Sequence, residues 1–145
     1  MTENPLLTPW TTPFGLPPFG AIEPAHFPPA FEAAMATHGA EVAAIGANPA
    51  PPSFANTVEA LEEAGRLLSR VGATFFNLAA SHATAELQQV ERDIAPKLAT
   101  HRMAIALDPA LFCVASWLLF SLFPPGRRSR PRLISPGHSA LIAGF

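Results

Sequence analysis

Cysteine is almost absent: Cys113 is the single one in 145 residues. An internal disulfide is therefore excluded, and no Cys/His spacing matches a structural zinc site, so a reducing compartment is the default. The opening residues MTENPLLTPW have neither a basic stretch nor an apolar core, which argues against a secretory signal and for the cytoplasm. Long apolar runs are also missing. The most hydrophobic stretch, Leu111 to Phe123, spans only 13 residues before Pro124-Pro125. As a helix it would reach roughly 20 Å against a hydrocarbon core of about 30 Å, so no membrane partner is expected. Acidic residues disappear after Asp108, and the 33 residues from Cys113 to Phe145 contain no Asp, Glu or Lys.

That last absence divides the chain. Up to Phe112 there are eleven acidic and five basic side chains, net −6, whereas the tail carries only Arg127, Arg128, Arg130 and Arg132. The overall charge of −2 hides the contrast. Without interleaved aromatics or lysines the arginine cluster does not read as a nucleic-acid site. Of the 17 prolines all but Pro96 and Pro109 cluster at 5 to 29, 49 to 52 and 124 to 136, where they punctuate helices. With 49% hydrophobic and 14% charged residues, the remainder can bury a core.

Residues 1–27 have no period of 2 or 3.6 and read as an extended, Pro-rich arm that drapes over something else. Pro28-Pro29 suits the first turn of a helix, in which Phe31, Met35, His38, Val42 and Ile45 recur at helical spacing. Asn48-Pro49 ends it. Ser53 is the expected N-cap of a second helix with the stripe Phe54, Val58, Leu61, Gly65, Leu68, Gly72, Phe75 and Ala79, widened by Leu67, Val71, Phe76 and Leu78. Two glycines on that stripe predict a neighbouring helix close against the backbone. A third helix begins near Thr84 and carries Leu87, Val90, Ile94, Leu98, His101 and Ile105, with Pro96 inside it, where a kink is expected. Asp108-Pro109 opens a fourth. The predicted fold class is all-α: an antiparallel helical hairpin or bundle fragment over 28–112, with the extended Pro-rich N-terminal arm and an irregular C-terminal tail, 113–145.

The phrases NPLLTPW, PPFGAIEPAHFPPAFEAAM, NPAPPSFANTVEALEEAGRLLSRV, FFNL, ERDIAPKLATHR and LDPALF carry more than a period. In order and spacing, residues 4 to 112 resemble the N-terminal helical region of the thimet-oligopeptidase-like zinc metallopeptidases, the family of oligopeptidase A and peptidyl-dipeptidase. The resemblance implies a cytoplasmic peptide hydrolase, almost wholly helical, with short peptides as substrate. It further implies Zn²⁺ held by an H-E-x-x-H helix whose Glu is the general base. That motif lies much further along a chain several times longer. Here His26, His38, His82, His101 and His138 are followed by Phe, Gly, Ala, Arg and Ser, so no H-E pair exists.

No catalytic, cofactor-binding or metal-binding residue is therefore assigned, and no cofactor is expected for this chain on its own. His38 and His101 lie on the stripes of two helices that can bring them together, and hydrogen-bonded seam histidines are preferred to ligands. Glu59, Glu62 and Glu63 read as a solvated face with Glu62–Arg66 support at i,i+4. Ser53, Ser69, Ser81 and Cys113 lack the setting of a nucleophile. The tail has the Arg, Pro, Ser, Gly and Leu content of a GC-rich gene read in another frame. Expected is thus an N-terminal oligopeptidase fragment, inert alone and prone to non-specific self-association through an uncovered helix face. The alternative is a non-enzymatic helical interaction module with a basic, disordered tail.

Overall fold

Prolines shape the start of the chain. The computed structural model describes residues 3–122. Instead of running extended, the arm closes three single 3₁₀ turns, Pro13–Gly15, Phe19–Ala21 and Pro24–His26. Pro13 and Pro24 open two of them, where the fixed proline φ suits a first helical position. Ahead of these turns Leu6 is fully buried. Asn4 holds it there, accepting from Leu6 N–H at 3.0 Å and donating to the carbonyl of His26 at 2.8 Å. Arg70 donates to the Leu6 carbonyl at 2.9 Å and lies 4.8 Å over the Trp10 ring.

Among the described residues five α-helices follow and no strand: α1 Phe27–Gly46, α2 Ala60–Glu63, α3 Arg66–Ser81, α4 Ala85–Ala106 and α5 Pro109–Leu122. A π-helical turn, Phe54–Glu59, leads into α2. The expected all-α class holds. Both α3 and α4 pack on α1, and α5 packs on α1 and the π turn. Local capping sets the helix starts. Ser53 and Asn56 form a reciprocal box at 3.1 and 2.7 Å. Thr84 accepts from Leu87 N–H at 3.2 Å, and Asp108 from Ala110 and Leu111 N–H at 2.8 and 3.1 Å. Helix α4 runs unbroken through Pro96.

The core is aromatic and small-sided at once. Phe27, Phe31 and Phe75 are fully buried, and the Phe75 ring meets the other two edge-on at 4.9 and 5.5 Å. Ala30 and Ala34, equally buried, keep α1 thin enough for Val71 of α3 and Leu87, Ile94 and Leu98 of α4 to close around it.

Five further expectations need correction. The predicted second helix is broken at Gly65, which has φ 76° and ends α2 before α3 begins. Its Glu62–Arg66 pair is lost with helical phase across the break, and Arg66 pairs instead with Glu63 at 2.6 Å. The wide π turn rotates the stripe, so Thr57 is buried while Phe54 is 57% exposed. A Cβ on Gly72 would meet nothing within 4 Å, so that glycine faces open space where a close helix is predicted. Finally, α5 extends to Leu122, ten residues into the predicted irregular tail, since no breaker precedes Pro124. Residues 123–145, with the arginine cluster, lie outside the described residues.

Candidate functional site

The break at Gly65 creates the most chemically featured place in the molecule. Between the α2–α3 corner and α4 lies a groove of about 420 Å³, lined by Phe31, His38, Gly65, Phe76, Leu98 and His101 among others. His38 of α1 and His101 of α4 meet at its floor. Their nitrogens, Nδ1 of His38 and Nε2 of His101, are 3.1 Å apart, and the rings sit edge-on at 5.1 Å between centroids. Burial lowers the pKa of His101 below the usual 6.5, and the charge of a protonated His38 lowers it further.

Gly65 fits this pair because it has no side chain. An added Cβ would stand 3.0–3.1 Å from three atoms of the His38 ring. Its N–H, freed by the helix break, donates to Glu41 Oε2 at 2.7 Å. Glu41 follows His38 by three residues, one turn along α1, a spacing that sequence reading overlooked. The signal was available there, but its partner lies 24 positions away.

The other sequence candidates are dispersed. His26 Nδ1 accepts from Glu23 N–H at 3.0 Å in a capping box, and His82 is the exposed C-cap of α3. Glu59, Glu62 and Glu63 are exposed. Ser53 serves as N-cap, Ser81 donates to the carbonyl of Asn77 at 2.7 Å, and Ser69 is an exposed residue on the groove wall. Cys113 is exposed on α5. A second groove, about 450 Å³, lies between Trp10, Phe19, Arg70 and Asn77 and presents mainly apolar surface.

These residues do not fit the zinc centre that the resemblance implies. Such a centre needs three protein ligands around an open position. The two imidazoles are bonded to each other, the Glu41 carboxylate is held by Gly65, and no trio of His, Cys, Asp or Glu able to hold a metal occurs among the described residues.

No protein-family model matches the chain. Individual relatives do. A dipeptidyl carboxypeptidase of Escherichia coli (strain K12) is 41% identical over 111 residues, covering 77% of this chain and 16% of that protein. The dipeptidyl carboxypeptidase of Salmonella typhimurium is 40% identical over 112 residues. Oligopeptidase A of Salmonella typhimurium is 33% identical over 109, or 75% of this chain and 15% of its own length. The matched segment is similar to peptidases of the thimet-oligopeptidase-like family. The resemblance carried by the sequence phrases is thereby borne out, and the chain spans about a sixth of the length of its relatives.

Proposed function

We propose that this chain is the N-terminal helical portion of a zinc-dependent oligopeptidase or peptidyl-dipeptidase that hydrolyses short peptides in the cytoplasm. On its own it performs no hydrolysis. The observation that carries this reading is the 41% identity over 111 residues in a sequence that contains no His-Glu pair. Exposed apolar side chains support it. Phe76 beside the groove, and Met103, Leu107, Phe112 and Trp117 along α4 and α5, are 45–73% exposed, as surfaces destined for further helices would be. In isolation the same surfaces favour self-association. Among the described residues no helix is long and apolar enough to cross a membrane. We further propose that residues 113–145 derive from a shifted frame, which translation of the nucleotide sequence after codon 112 in the other frames tests.

One observation favours a second reading. The ten buried residues around Phe27, Phe31 and Phe75 close a core within this segment, as a small interaction module needs. Purified chain, freed of host peptidases and supplied with Zn²⁺, decides about catalysis. The expected result is no cleavage of short peptides and no stoichiometric zinc after dialysis. Cleavage that a chelator abolishes would refute the proposal.

A further inference from the structure

We propose that the His38–His101 pair is a proton-operated latch between α1 and α4, which holds the two helices together at the groove floor while at least one imidazole is neutral and loosens that seam when both are charged. Donor and acceptor count decides when the bond can form. At 3.1 Å one ring nitrogen must donate and the other accept. With both rings neutral this is met by choice of tautomer. A first proton leaves one lone pair available, so the bond persists and gains charge assistance. A second proton removes the last acceptor, leaving two donors and two positive charges face to face.

The surroundings favour release over rearrangement. His38 packs closely against Gly65 at the α2–α3 corner, where an added Cβ would stand 3.0–3.1 Å from its ring, and no carboxylate of that corner is bonded to it. Glu41, the carboxylate on α1 nearest in sequence, is held at 2.7 Å by Gly65 N–H. From α4, Arg102 lines the groove with a positive charge of its own, while Lys97 is engaged by Glu32 at 2.6 Å. At the corner Glu63 pairs with Arg66, and Asp108 caps α5. The depressed His101 pKa agrees in sign. The folded state prefers neutral His101, so this stabilisation is complete above the ordinary value of 6.5 and is lost as pH falls through the lowered one.

Hydrogen exchange of the full chain tests the latch. Amide exchange over residues 36–42 and 98–104, corrected for the intrinsic effect of pH, should accelerate roughly fivefold between about pH 7.5 and 5, the order expected for losing one hydrogen bond. His101→Gln, which keeps a polar group but cannot be charged, should reduce that acceleration to less than about twofold, and His82→Gln should leave it intact. Should His101→Gln fail to fold, imidazole nitrogen shifts of the unaltered chain give the answer. Coupled, two-step titration of the two rings supports the latch. Independent single-step titration, pH-insensitive exchange at the seam, or equal acceleration in folded His101→Gln would overturn it.

Discussion

Two glycines in one predicted stripe respond oppositely to the same substitution. Gly65 has φ 76°, a region that costs an L-residue about 1–2 kcal/mol. Its new Cβ would also stand 3.0–3.1 Å from the His38 ring, and relieving such overpacking costs roughly a further 1–3 kcal/mol. Gly72 is the opposite case. It lies within α3, a Cβ there meets nothing within 4 Å, and alanine is the better helix former by about 0.8–1.0 kcal/mol. Gly65→Ala should therefore destabilise by ~2–5 kcal/mol, and Gly72→Ala should stabilise by ~1 kcal/mol. Urea unfolding followed by helical circular dichroism measures both. With a slope of about 1–3 kcal/mol per molar, the two midpoints should separate by roughly 1 M or more. A neutral Gly65→Ala, or equal shifts in both variants, would show that α2 and α3 form one continuous helix and that the reasoning about the break is wrong.

Other expected outcomes follow from burial and capping. Phe75→Ala should cost ~3–5 kcal/mol by emptying the space between the Phe27 and Phe31 rings, whereas Phe76→Ala, at a 45% exposed neighbour, should cost less than about 1 kcal/mol in the same urea assay. Thr84→Ala removes the acceptor for Leu87 N–H and should cost ~1 kcal/mol, with faster hydrogen exchange confined to the first turn of α4. Glu32→Gln breaks an exposed ion pair with Lys97 and should lower stability by less than about 1 kcal/mol, an effect that salt diminishes.

Local chemistry was legible and distant chemistry was not. Proline in a first turn, Ser53, Thr84 and Asp108 fix helix starts through neighbours two to four residues away, so the sequence displays them directly. The meeting of His38 and His101 was also readable as two seam histidines on facing stripes. Missed were Ala30 and Ala34, whose burial reflects how close α3 and α4 approach rather than any hydrophobic signal of their own. Leu6 was likewise hidden, because its anchor, Arg70, is 64 positions away. The Gly65 break escaped notice for a related reason. The 4/3 alternation continues across it, and what accompanies the left-handed turn, Glu41 and the His38 ring, comes from another helix. The tail beyond Phe112 misled through composition, since a change of composition at that boundary does not stop a helix whose next breaker is Pro124.

The central claim is that this segment is the helical portion of a peptidase and functions only as part of one. A chimera tests it most directly: the 111 matched residues of this chain replace their counterparts in the Escherichia coli dipeptidyl carboxypeptidase, and dipeptidyl carboxypeptidase activity is measured alongside the parent and a version lacking the segment. The account predicts a soluble, active chimera and an inactive deletion. An inactive chimera beside an active parent, with this chain alone remaining a well-folded monomer, would contradict it and favour an independent interaction module.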